Sequence, residues 1–151
     1  MDKYEGAIKI MTERFSQDSL IAVATVADGQ PFVRTVDGYY EDGAFYVVTY
    51  TLSNKMKQIA ANSDVAVCGQ WFTGHGIGTN LGHVLDESNA VMMTKLRQVF
   101  AGWYTAGHVD ESDPNTCLLR ISLTSGVITD NEKKYGQWQY VVNFANKSVK
   151  N

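Results

Sequence analysis

Residues that crosslink or break a chain are scarce in this sequence, and so are long hydrophobic runs. It has two cysteines and two prolines among 151 residues. Cys68 and Cys117 are too far apart for a CxxC motif, and Cys68 is expected to be a small buried hydrophobe in an apolar strand. No apolar run approaches the roughly 20 residues that span a membrane, and the N-terminus lacks the basic and apolar regions of a signal peptide. We therefore predict one soluble domain over residues 1–151, in the reducing cytoplasm.

Catalytic and metal-binding motifs are also missing. The formal net charge of −3 disfavours non-specific binding to nucleic acids. No GxSxG, HExxH, P-loop or GxGxxG motif occurs. His75 and His83 lie near Trp71 in the sequence, but no third ligand follows at close spacing, which disfavours a metal site. The glycine-rich residues 74–78 lead into a strand and not into a helix, so we reject a phosphate loop there. The sequence predicts neither a metal site nor a catalytic pair.

Hydrophobic patterning, in contrast, is strong and favours strands joined by tight turns. Apolar residues at helical spacing predict an amphipathic helix over residues 4–15. Turn signals follow at residues 28–31 and 41–43. Residues 74–78 are expected to form a flexible connection, and the polar tail to be frayed. The predicted strands are 20–27, 32–40, 44–50, 64–72, 79–85, 116–129 and 138–144, with further helices at 53–62 and 89–101. This meander with short helices indicates a small antiparallel barrel with helices outside it.

One segment, from Phe45 to Ile59, combines features of a phosphate site. A strand that carries Thr49 and Thr51 runs into Ser53 and Lys55, and a helix follows at once. The first turn of a helix has unpaired N–H groups and partial positive charge. In the alternative interpretation, Ser53 is only an N-cap and Lys55 only a solvated helix residue, since strand–Ser–helix junctions are common.

Arg34 favours the phosphate interpretation. It lies beside Thr35 on the predicted strand 32–40, and pairing of this strand with residues 44–50 would bring it towards the Thr49–Lys55 corner. An arginine on an apolar strand needs a partner. Arginine, lysine, two hydroxyls and a helix terminus together form a better phosphate site than any one of them alone. The sequence therefore predicts a phosphorylated cofactor.

The order of these segments resembles the flavin-binding split barrel of pyridoxamine 5′-phosphate oxidase-like proteins. The resemblance covers residues 5–85, through LIAVATV, ADGQP, FVRTV, EDG, AFYVVT, TLSNKMKQI and DVAVCG, and more loosely GQWQYVVNF near the C-terminus. It implies a mainly β fold with short helices, namely a six-stranded antiparallel split β-barrel. It also implies FMN, with the phosphate held by Arg34, Thr49, Ser53 and Lys55. The family often has a basic residue where this chain has Asn54.

The same resemblance implies a homodimer with cofactor sites between the subunits, and Trp71, Trp103 and Tyr104 are candidates for the interface. The strand segments that contain Arg34 and Thr49 are expected to line one side of the flavin ring, and Trp71 from the partner subunit the other. The predicted cofactor-binding residues are Arg34, Thr35, Val36, Thr49, Tyr50, Thr51, Ser53, Asn54, Lys55 and Trp71.

Two classes of function follow. The first is an FMN-dependent oxidoreductase with a small-molecule substrate, in which the flavin supplies the redox chemistry and no protein acid or nucleophile is essential. The vitamin B6 reaction is not implied, because the substrate-phosphate residues of the oxidase have no clear match near the C-terminus. The second class is a cofactor-free binding protein, or a split barrel that binds deazaflavin or haem.

Overall fold

Two tight turns establish the first hairpins of the sheet. Asp28 and Gly29 have φ values of 52° and 74°, and Asp42 and Gly43 have values of 46° and 80°. Two consecutive residues with positive φ form the type I′ geometry, whose twist matches that of antiparallel strands, and Asp-Gly is a preferred sequence for it. The strands on either side of each turn therefore pair from the residues next to it.

A computed structural model, which describes residues 1–151, contains one antiparallel sheet of eight strands. The strands are β1 (Ser19–Ala27), β2 (Gln30–Glu41), β3 (Ala44–Tyr50), β4 (Asp64–Gly69), β5 (Phe72–His83), β6 (Thr116–Thr129), β7 (Gln139–Asn143) and β8 (Ser148–Val149). Their order is β3-β2-β1-β4-β5-β6-β7-β8, and β3 also pairs with β6. This last pairing closes β1 to β6 into a six-stranded antiparallel barrel, which confirms the predicted fold class.

Three helices of eight residues or more pack on the barrel: α1 (Lys3–Phe15), α2 (Asn54–Ala61) and α3 (Ala90–Val99). The side chain of Asp2 accepts from the N–H of Glu5 and that of Glu5 from the N–H of Asp2, so a capping box starts α1. Short helical turns flank α3 at Glu87–Asn89, Ala101–Trp103 and Tyr104–His108. None of the helices is long and apolar enough to span a membrane.

The buried side chains form two clusters. The larger fills the barrel, where Phe15 of α1 makes edge-on contacts with Phe45 and Phe72 at centroid distances of 5.5 and 6.0 Å. The smaller lies outside the barrel under α3 and consists of Val84, Met93, Leu96, Phe100, Tyr104 and Leu118. Tyr104 therefore belongs to a core within the chain, and its prediction as an interface residue is wrong.

The glycine-rich residues 74–78 are not a flexible connection. They form the middle of β5, and Gly74, Gly76 and Gly78 point into the barrel. A Cβ at Gly76 would lie 2.7 Å from the carbonyl oxygen of Ser122, and one at Gly78 would lie 2.9 Å from the side chain of Ile59. Glycine is required here because neighbouring backbone and core side chains leave no room for a methyl group. The predicted strand 64–72 is shorter in the structure, where β4 ends at Gly69.

Two further predictions are corrected by the sheet. Cys68 is exposed and not buried, because Val65 and Val67 occupy the inward positions of β4 and the alternation places Cys68 on the outer face. The C-terminal tail is not frayed throughout, since Ser148 and Val149 pair with β7.

Candidate functional site

The barrel is split between β2 and β3, which pair over only part of their length. These strands pair only from Tyr39–Tyr46 to Glu41–Ala44. Nearer its start β2 pairs with β1 alone, and nearer its end β3 pairs with β6 alone. The facing edges of the two strands therefore have no strand between them, which leaves backbone N–H and C=O groups there for a ligand.

Arg34 of β2 is anchored beside this opening. Its Nη1 donates to Thr25 Oγ1 at 2.8 Å and to the carbonyl oxygen of Val23 at 3.3 Å, and its Nη2 donates to Gln58 Oε1 at 2.8 Å. Burial lowers the pKa of Arg34. All of these contacts are to neutral groups, so the guanidinium is oriented but its charge is not neutralised.

Lys55, in the first turn of α2, is the second cation of the site. Its Nζ donates to Thr49 Oγ1, and to Ser53 Oγ at 3.4 Å. Ser53 is the N-cap of α2 and accepts from the N–H of Met56 at 3.4 Å. The pKa of Lys55 is lowered, chiefly by burial and secondly by the positive charge of Arg34. The two cations therefore lie within electrostatic reach of each other.

Neither cation has an acidic partner. The ion pairs of the chain are Lys95–Glu41, Arg97–Glu111 and Lys134–Glu13, all elsewhere in the structure. Two half-buried like charges repel each other, and this arrangement is stabilised when an anion binds between them. With the hydroxyls of Thr49 and Ser53 and the free N–H groups at the start of α2, the cluster has the donors that a phosphate needs.

Gln58 and Thr25 were not predicted, although both hold Arg34. Gln58 lies three residues after Lys55 on the same helix, so a shared face was a signal available in the sequence. Thr25 lies diagonally across the β1–β2 pair from Arg34, since Arg34 pairs with Val23. That neighbour follows only from the strand register.

The other predicted residues near the opening have mixed environments. Thr35, Tyr50 and Asn54 are exposed, and Val36 is half-buried. Thr51 is already engaged, because its N–H donates to the carbonyl oxygen of Asn115 at 2.7 Å. This N–H is therefore not free to bind a flavin ring, and a contribution of Thr51 through its carbonyl group or side chain stays a prediction.

Trp71 lies far from the cation cluster of its own chain. Its carbonyl oxygen accepts from the N–H of Thr129, at one end of β6, whereas Thr49 pairs with Cys117 near the other end. Trp71 is 60% exposed. It therefore does not join the site within one chain, and a contribution from a partner subunit stays a prediction.

A cleft of about 390 Å³ adjoins the cation cluster and shares Thr49 with it. It is lined by Val48, Thr49, Tyr50, His108, Val109, Asp110, Asp113 and Thr116. His83, behind this cleft, is structural: its Nδ1 accepts from the N–H of Leu85 at 3.1 Å, and its Nε2 lies 2.9 Å from the carbonyl oxygen of Asp113. No group of three or more potential metal ligands is present.

The structure is thus a six-stranded split barrel in which two cations without acidic partners lie beside the opening. The family model described as pyridoxamine 5′-phosphate oxidase matches residues 9–130. The chain therefore belongs to the pyridoxamine 5′-phosphate oxidase family, as its sequence pattern suggests. A comparison with curated proteins finds no match.

Solved structures share the fold at low sequence identity. General Stress Protein 26 from Bacillus anthracis is 20% identical with a TM-score of 0.61, covering 78% of this chain and 89% of its own. A pyridoxamine 5′-phosphate oxidase-related, FMN-binding protein from Nostoc punctiforme is 20% identical with a TM-score of 0.58, covering 99% and 95%. A FAD-binding protein from Mesorhizobium loti is 18% identical with a TM-score of 0.60, covering 83% and 92%.

Proposed function

We propose that this protein binds FMN and acts as a small flavin-dependent oxidoreductase. The observation that carries the proposal is the pair Arg34 and Lys55, two half-buried cations with no carboxylate partner beside the split of the barrel. The family match and the FMN-binding protein among the similar structures support a flavin as the ligand.

In this proposal, Arg34, Lys55, Thr49 and Ser53 hold the FMN phosphate, with the exposed Asn54 at the helix start. The isoalloxazine ring, when bound, supplies hydride chemistry. Thr35, Val36 and Tyr50 line the ring from the facing edges of β2 and β3. The protein orients the cofactor and supplies hydrogen bonds, and no side chain is required as nucleophile or proton donor.

We further propose that the protein is a homodimer. Outward positions of neighbouring strands form one apolar face, which includes Val33 at 71% exposure and Val141 at 42%. Between them the face forms a shallow cleft of about 390 Å³, lined by small outward residues such as Ala22, Ala24 and Ala66. An exposed apolar face of this kind suits a second copy of the chain, since a two-fold axis brings the same patch of both subunits together. Sedimentation at micromolar concentration tests this, and a monomer would contradict it.

Titration of the purified protein with FMN and with riboflavin tests the cofactor. Riboflavin has the same ring and no phosphate, so wild type should bind FMN at least about tenfold more tightly if charge-assisted contacts hold the phosphate. Equal affinities would mean that the cation pair does not hold a phosphate. Failure to bind either flavin would favour a cofactor-free barrel, or one that takes deazaflavin or haem.

A further inference from the structure

The turn between β4 and β5 places a large aromatic side chain in an unusual backbone conformation. Trp71 has a φ of 53°, whereas the other non-glycine residues with positive φ are Asp28, Asp42, Lys133 and Lys147. Those four are polar residues, but Trp71 is bulky, and the left-handed region is strained for such a side chain. Glycine would relieve the strain. The turn therefore keeps an exposed indole at an energetic cost, which suggests that the indole has a role.

Arg14, near the end of α1, is attached to this turn. Its Nη1 donates to the carbonyl oxygens of Gln70 and Trp71, each at 3.2 Å, and its Nη2 donates to that of Thr129. The guanidinium thus joins both sides of the β4–β5 turn to the end of β6. Burial lowers the pKa of Arg14, and the charge of Asp130 opposes that effect. Arg14 forms no ion pair, and the neighbouring Glu13 is paired with Lys134.

The position of Trp71 fits an interface. It borders a cleft lined by Cys68, Thr73 and Val127, and these three residues also belong to the apolar outer face. Val33, next to Arg34, lies on the same face. In a two-fold dimer built on this face, the edge of the face that carries Trp71 in one subunit contacts a different edge of the same face in the partner subunit. Symmetry repeats this contact.

We propose that Arg14 is a positioning residue, which holds the Gln70–Trp71 turn so that the indole packs against the flavin bound by the partner subunit. This inference rests on the proposed FMN site and dimer. The planar fork of arginine suits the role, because it donates in two directions at fixed angles, whereas lysine has a single ammonium on a flexible chain. The N-terminal helix would then contribute to a cofactor site that it does not itself touch.

A double-mutant cycle tests the inference: Arg14→Gln, Trp71→Ala and the double variant are compared by FMN affinity and by the fluorescence of the bound flavin, which a packed indole quenches. Each single variant should weaken FMN binding about three- to tenfold, the range expected for one aromatic contact, and should raise the fluorescence. The double variant should be no worse than Trp71→Ala, because Arg14 acts through Trp71. Lys9→Gln, on the same helix, should change neither property.

Arg14→Lys separates geometry from charge, and it replaces Arg14→Gln if that variant folds poorly. Because lysine keeps the charge but not the planar fork, Arg14→Lys should still show most of the loss of FMN affinity and most of the rise in flavin fluorescence. In the protein without flavin, hydrogen exchange at the Gln70–Trp71 turn should be faster in both Arg14 variants than in wild type. Additive losses in the cycle, or full rescue by lysine, would overturn the inference. So would a Trp71→Ala variant with wild-type FMN affinity and fluorescence, whereas a wild-type protein that binds no FMN would overturn the proposed function itself.

Discussion

Arg34 on β2 and Lys55 on α2 lie close enough for the charge of Arg34 to lower the pKa of Lys55, and neither side chain forms an ion pair. Proteins usually separate like charges or place a carboxylate between them. Here hydroxyl and amide groups hold the two cations in place. This relationship gives the FMN proposal its physical basis, because an anion would remove the repulsion.

Arg34→Ala and Lys55→Ala should each weaken FMN binding by about tenfold or more, the effect of losing one charge-assisted contact. Lys57→Ala should have little effect, because Lys57 is exposed on the same helix and outside the cluster. Fluorescence titration measures all three, and riboflavin binding should change little in any of them. Equal losses for the three variants would indicate general electrostatics and not a site.

Gln58→Ala should weaken FMN binding about two- to tenfold, because a lost hydrogen bond of this kind contributes about 0.5–1.5 kcal/mol. The amide oxygen of Gln58 holds Arg34, and its removal leaves the guanidinium less well oriented. In an Arg34→Ala background the Gln58 substitution should add nothing. Gln98→Ala, an exposed glutamine on α3, is the matched control. A Gln58 effect that persists without Arg34 would show that it acts by another route.

Single replacement of His75, His83 or His108 should leave reduction of the bound flavin by a chemical donor largely intact. Both ring nitrogens of His83 are engaged in local contacts, and His75 lies on the outer face of β5. Stopped-flow absorbance measures the reduction rate. A histidine variant that kept its flavin but lost turnover with an identified substrate by about 10²-fold or more would have removed a general acid or base.

Gly76→Ala should lower the free energy of unfolding by about 1–3 kcal/mol, because the added methyl group overpacks the barrel. Its Cβ would lie 2.7 Å from a backbone oxygen of β6, which cannot move as a side chain can. Gly102→Ala is the control, since nothing lies within 4 Å of its Cβ. It should be neutral or stabilising by up to about 1 kcal/mol in a helical turn. Urea denaturation compares the two, and similar values would contradict the packing argument.

The carboxyl group of Asp37 should make stability depend on pH. Burial, and secondly a hydrogen bond and repulsion from Asp18, raise the pKa of Asp37 from 3.8 to about 6. Folding therefore favours the protonated form, so this contribution to stability is complete below pH 3.8 and is lost as the pH rises through about 6. Asp37→Asn should make the melting temperature depend less on pH between pH 4 and 7, whereas the exposed Asp64→Asn should leave that dependence unchanged. An unchanged pH profile in Asp37→Asn would show that Asp37 is not responsible.

Several elements could be predicted because their causes are local. The Asp-Gly turns need only two residues that tolerate positive φ, and the amphipathic helix over residues 4–15 needs only apolar spacing and a cap. The strand 116–129 was predicted with the bounds that β6 has in the structure. The prediction that Cys68 is buried was wrong, because an apolar run does not show which alternate residues face inward. The prediction that residues 74–78 form a flexible connection was also wrong. Glycine is selected both where the chain must be flexible and where space is short, and only the neighbouring residues show which of the two causes applies.

The sequence by itself determined the residue types of the candidate site, namely Arg34, Lys55 and the hydroxyls of Thr49 and Ser53, together with the turns and caps near them. The tertiary structure decided which of these meet. Closure of β3 against β6 and the short β2–β3 pairing open the barrel beside the two cations, and the length of β6 keeps Trp71 away from them in the same chain. Turns and caps depend on neighbours within a few residues, whereas these distances depend on register between strands that are far apart in sequence.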